Sequence, residues 1–162
     1  MRRRGVALIA ALEVVGGFAG LAIASQLAFK SLSVPAGAAL FGMLGIPMLL
    51  SLRAGQLLWK GKASGRALSI FVQACQVPIV QVAAFHYEFF VGARVGLLWK
   101  GADLFTPLNL GAGASIQFAG DALPTTTGVN LLALWALWYL WRASPDQTLA
   151  PGRAEEIARA AV

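Results

Sequence analysis

Four polar side chains stand inside apolar stretches of this sequence, where a polar group without a partner is costly. They are Glu13, Arg53, Gln73 and Gln76. Measured from the basic ends of their segments, Glu13, Arg53 and Gln73 each lie about 12 Å along a helix. Ionisable groups inside a membrane pair with each other or line a cavity, so we expect an ion pair between Glu13 and Arg53. Gln73 or Gln76 would then hydrogen-bond to that pair.

Such an intramembrane polar cluster is compatible with two roles. One is a proton or ion relay. The other is hydrogen bonding that holds helices together, with Arg53 extending its charged end toward the membrane surface. We favour the second role, because it is the more common use of polar groups between helices.

A second candidate site consists of His86, Glu88 and Asn130. His86 and Glu88 follow the third apolar segment, and Asn130 lies in the first turn of the fourth. Histidine changes charge near neutral pH, and a neighbouring carboxylate tunes that change. A single histidine beside aromatic residues is more often structural than catalytic. We therefore expect these three residues to line the outer mouth of the protein.

Enzymatic chemistry finds little support in the residue types. The chain has one histidine and one cysteine, which excludes a metal site built from several His and Cys ligands and excludes an internal disulfide. Motifs of serine hydrolases, zinc proteases and phosphate-binding loops are absent from the sequence. We expect no cofactor and no metal, and we favour a protein that is not an enzyme.

The composition indicates a membrane protein. Hydrophobic residues make up 58% of the 162 residues, charged residues only 12%, and the mean hydropathy is +0.70. Soluble domains carry roughly 25% charged residues. The formal net charge of +6 comes from cations that flank apolar segments, which favours contact with a lipid bilayer over binding to nucleic acid.

The apolar segments predict an all-α membrane protein with four transmembrane helices. A span needs about 20 residues. The expected spans are residues 5–29, 35–60, 66–86 and 127–142, followed by a cytoplasmic tail over 143–162. A cleaved signal peptide is the alternative for the first span, but its apolar region is long and contains Glu13.

Residues 87–126 predict a small β-like module between the third and fourth helices. Apolar and polar residues alternate from Tyr87 to Lys100, as expected for a strand with two different faces. A re-entrant amphipathic helix over Phe89–Lys100 is the alternative, and the glycines within it disfavour a helix. An open sheet edge does not face lipid, so we expect the module outside the bilayer.

Small residues at four-residue spacing mark one face of the first helix. Gly16, Gly20 and Ala24 lie on this face, where another backbone can approach closely. The pattern predicts a contact with another subunit or ordinary packing within the chain, and we favour the second.

Lysine and arginine counts predict the orientation. With the N-terminus inside, ten of these residues are cytoplasmic and three are outside, so both termini are expected in the cytoplasm. The preference for Ala, Gly, Leu and Arg hints at a bacterial plasma membrane. The expected function is that of a scaffold or accessory subunit that binds itself or another membrane protein. An oligomeric channel or transporter, with the polar line of the third helix facing a lumen, is the alternative.

Overall fold

The computed structural model describes residues 2–30 and 33–142, and it combines helices with an antiparallel sheet. The elements are α1 (Arg2–Lys30), α2 (Val34–Trp59), α3 (Ala63–Gln76), β1 (Pro78–Lys100), β2 (Asp103–Phe105), β3 (Leu108–Asn130) and α4 (Leu131–Arg142). The fold is α+β, so the expected all-α protein with four transmembrane helices is wrong. The expected tail over 143–162 lies outside the described residues.

Two helices, α1 and α2, are long and apolar enough to cross a membrane. They coincide with the first two predicted spans, and their apolar windows have mean hydropathies of 2.2 and 1.5. Only 39% and 29% of these windows are buried, whereas the core helix of a soluble protein is mostly buried. This exposure favours lipid as the surroundings of α1 and α2.

The third and fourth helices are too short to span. α3 has 14 residues and α4 has 12. Their lengths are about 21 Å and 18 Å, against a hydrocarbon core of about 30 Å. The expected spans over 66–86 and 127–142 are therefore wrong.

Pro78 stops α3 within residues 66–86, where the sequence pattern predicts a continuous third span. Proline has no N–H to donate to the carbonyl of Ala74, which accepts instead from the amide of Val77 at 3.3 Å. The following residues, Ile79 and Val80, are β-branched and favour strand. The sheet thus begins at Pro78, nine residues before the predicted module, and Phe89–Lys100 is strand, not a re-entrant helix.

The sheet is a long hairpin that curls on itself. Its strand order is β2-β1-β3, with antiparallel pairing throughout. Thr127 pairs with Val80 on one side and with Trp99 on the other, so β1 must curl round to place these two residues on either side of β3. Gly92 and Gly111 face each other in the register, with φ of 85° and 124°. These left-handed conformations suit glycine and place a bend in both strands at one level.

The protein buries several polar side chains within an apolar interior and exposes large apolar side chains on its surface. Large apolar side chains are exposed on the helices, for example Phe18 (58%), Ile46 (57%) and Trp138 (52%). Among the described residues, the buried polar side chains are Glu13, Ser51, Ser69, Gln73, Gln76, Arg94 and Asn130. The exposed large apolar side chains on several helices support association with a membrane.

Arg66 joins the beginning of α3 to the end of α4. Its Nε donates to the carbonyl of Leu140 at 2.8 Å, and its Nη2 donates to the carbonyl of Trp141 at 2.9 Å. Carbonyls in the last turn of a helix lack helical partners, so this guanidinium caps α4.

We expect Arg66→Gln to lower the free energy of unfolding by about 1–2 kcal/mol, because two charge-assisted hydrogen bonds are lost. Denaturation in mixed micelles would measure the change. Lys62→Gln is the matched control, since Lys62 is exposed and forms no side-chain cap. Equal losses in the two variants would contradict the capping role.

Candidate functional site

The carboxylate of Glu13 is the centre of a buried polar cluster between α1 and α3. Its side chain is fully buried. Ser69 Oγ donates to Oε2 at 2.7 Å, and Gln73 Nε2 donates to Oε1 at 3.0 Å. Ser69 and Gln73 are four residues apart, so they lie on one face of α3. One helix face therefore supplies a donor to each oxygen of a carboxylate on another helix.

Gln76 continues this polar line but bonds to the sheet. Its Oε1 accepts from the backbone N–H of Val91 at 2.8 Å. Val91 lies near the bend of β1, next to Gly92 in the chain. The line of Ser69, Gln73 and Gln76 therefore connects α3 to α1 at one end and to β1 at the other.

Arg53 does not belong to this cluster, so the expected ion pair with Glu13 is absent. Arg53 is exposed on α2. Gly55 is the residue of α2 that faces Glu13, because a Cβ on Gly55 would lie 3.0 Å from the Cβ of Glu13. Residues two apart on a helix point about 200° away from each other. Arg53 therefore has a depth similar to that of Glu13 but points to the opposite side.

The small-residue face of α1 is occupied within the same chain. A Cβ on Gly16 would overlap the backbone of Gly92 in β1. A Cβ on Gly20 would overlap the side chain of Met48 in α2. Ala24, the third member of this face, is 1% exposed. These residues let a strand and a helix approach α1, and the face is not available to a second subunit.

Of the predicted outer-mouth residues, the structure brings His86 and Glu88 together. His86 Nε2 lies 4.0 Å from Glu88 Oε2, and the other oxygen of Glu88 pairs with Arg94 Nη1. When the side-chain amide of Asn109 is oriented with its oxygen toward Arg94, that oxygen accepts a hydrogen bond from Arg94 Nη2 at 2.6 Å. Glu88 is thus shared between a histidine and a buried arginine.

Asn130 has a different role from that predicted. It is the N-cap of α4, where its Oδ1 accepts from the amides of Val95 and Ala133 at 3.4 Å each. Arg94 was missing from the predicted site. The signal for it was present, because Glu88 and Arg94 fall on the same face of the alternating β1 pattern.

An apolar pocket of about 230 Å³ lies between α2, α3 and the sheet. Cys75 and Tyr87 form part of its wall, and the Tyr87 hydroxyl donates to the Cys75 carbonyl at 2.7 Å. Burial raises the pKa of Tyr87, so the hydroxyl keeps its proton and remains a donor at neutral pH.

We expect the Glu13 cluster to behave as one unit in a double-mutant cycle. Glu13→Leu and Gln73→Leu should show a coupling of about 1 kcal/mol or more, because each change alone leaves the other group buried without its partner. The free energy of unfolding in mixed micelles is the readout. Glu13→Leu combined with Arg53→Gln is the control and should be additive within about 0.5 kcal/mol. Coupling to Arg53 of the same size would contradict this geometry.

Gly16→Ala should lower the free energy of unfolding by about 1–3 kcal/mol, because the added methyl group would overlap the backbone of β1. Gly42→Ala is the matched control on α2. A Cβ at position 42 would contact nothing within 4 Å. The change should therefore leave the free energy of unfolding unaltered or raise it by up to about 1 kcal/mol, because alanine favours a helix more than glycine does. Thermal denaturation of both variants checks the difference, and similar effects in the two would refute the close contact of α1 with β1.

Comparisons with known proteins were made at the level of family, sequence and structure. No protein-family model, curated protein or solved structure matches this chain.

Proposed function

We propose that this chain is a non-enzymatic accessory or scaffold protein of a bacterial plasma membrane, which acts by association with itself within the bilayer. We assign both termini to the cytoplasm as part of this proposal, because the Lys and Arg residues beside α1 and α2 are concentrated at that end of the two helices.

The observation that carries this proposal is an exposed small-residue face on α2. Ala38 and Gly42 are four residues apart, and Ala38 is exposed. A Cβ on Gly42 would meet nothing within 4 Å, so the space beside it is open. Ile46 and Leu49 continue the same exposed face. Small residues at this spacing allow close helix–helix approach in lipid.

The sheet adds a second exposed apolar surface. Leu104, Leu108 and Leu110 are 57%, 68% and 81% exposed. An apolar surface on a β module suits contact with the membrane interface or with another protein, which supports a binding role for this region.

The channel alternative gains no support from the polar line of α3. Gln73 and Gln76 bond to α1 and β1. Within the described part of the chain, the cavity that both glutamines line has a volume of about 10 Å³. This volume is about that of one water molecule, which is too small for an ion or substrate to pass through.

We expect the wild-type protein to form a dimer or a larger oligomer in lipid nanodiscs or mild detergent. Gly42→Leu should weaken this association about tenfold or more, because the leucine keeps a neighbouring helix away from the face. Sedimentation equilibrium over a range of protein-to-lipid ratios would measure it.

Val15→Leu is the control, since Val15 is 66% exposed on α1, away from this face. This variant should associate like the wild type. A wild-type protein that stays monomeric at all ratios would overturn the proposal, and so would equal weakening by Gly42→Leu and Val15→Leu.

A further inference from the structure

A groove of about 570 Å³ lies between α1 and α2, near the end where α1 begins and α2 ends. It is separate from the Glu13 cluster and from the exposed Ala38–Gly42 face. Its walls are Ala11, Val14 and Val15 from α1, Gln56 and Trp59 from α2, and Lys60, which directly follows α2.

The character of the groove changes along the membrane normal. Gly55 packs against the backbone of Ala10, so these two residues lie at the same level. Val15 lies deeper than this level, and Lys60 lies nearer the basic end. The walls therefore pass from aliphatic side chains to an indole, an amide and an ammonium group. A phospholipid has the same order, with an acyl chain inside and a phosphate at the surface.

The cations beside the groove have no carboxylate partner in the part of the chain that the structure describes. Both ion pairs found there involve Glu88, which is on β1. Glu13, the acidic residue of α1, is fully buried and bonded to α3. Lys60 is therefore an exposed cation without a counter-charge among the described residues.

Arg53 adds a second cation. It is exposed and lies three residues before Gln56, on the same side of α2. Its long apolar stem allows the guanidinium to extend toward the membrane surface. Trp59 is 66% exposed, and its indole suits the interfacial region between headgroups and acyl chains.

We propose that this groove binds one anionic phospholipid from the leaflet at the basic end. An acyl chain lies along Val14 and Val15, the phosphate is held by Lys60, and Arg53 adds positive charge beside the groove. Basic pockets between membrane helices hold anionic headgroups by this combination of charge and apolar contact. A zwitterionic lipid brings its own cation next to Lys60 and is bound less tightly.

Lipid titration of the purified full chain in detergent micelles, followed by native mass spectrometry, tests this site. Phosphatidylglycerol should bind at least about fivefold more tightly than phosphatidylcholine. Lys60→Gln should weaken phosphatidylglycerol binding about fivefold and reduce this preference, because one interfacial cation is lost. Ala11→Phe should weaken the binding of both lipids, because the added ring occupies the groove.

Lys62→Gln is the matched control, because Lys62 is an exposed cation two residues away and outside the groove. It should bind phosphatidylglycerol as the wild type does. Equal binding of the two lipids by the wild type would overturn the proposal. Equal weakening by Lys60→Gln and Lys62→Gln would also overturn it, because the charge effect would then belong to the whole surface.

Discussion

The fold depends on satisfying one buried carboxylate. Glu13 stands in the middle of an apolar helix, so its oxygens need donors from neighbouring elements. Ser69 and Gln73 provide them, which sets both the rotation and the height of α3 against α1. Gln76, on the next turn of α3, then binds the amide of Val91 and positions the sheet. The second half of this short helix is thereby held by polar bonds to α1 and β1 in an otherwise apolar interior.

The sheet packs beside the helices because both partners allow close backbone contact there. Gly16 on α1 meets Gly92 on β1, and no side chain separates them. Gly92 also bends β1 together with Gly111 on β3. The bend lets the hairpin curl until Thr127 is paired on both of its edges. Pairing of this kind reduces the number of unsatisfied backbone groups, which matters for strands that lie near lipid.

The outer surface carries the small residues and cations that do not pack or bond inside the protein. The small residues of α1 pack against β1 and α2, whereas the Ala38–Gly42 face of α2 remains exposed. The buried polar side chains of α1 and α3 bond to partners inside the chain, whereas Arg53 and Lys60 point outward. Association between helices and contact with lipid headgroups are the interactions that such a surface provides.

The sequence by itself determined the two long apolar helices, the equal depth of Glu13 and Gln73, and the alternation that places Glu88 and Arg94 on one strand face. These properties depend on hydropathy and on spacing along one element, which are local. Only the tertiary structure decided that Pro78 ends a helix, because a helix that bends at proline and one that stops there have the same local pattern. It also decided that Arg53 points away from Glu13, since depth along a helix says nothing about rotation around its axis. The carboxylate at the centre of the fold was visible in the sequence, and its partners were selected by the packing of three elements around it.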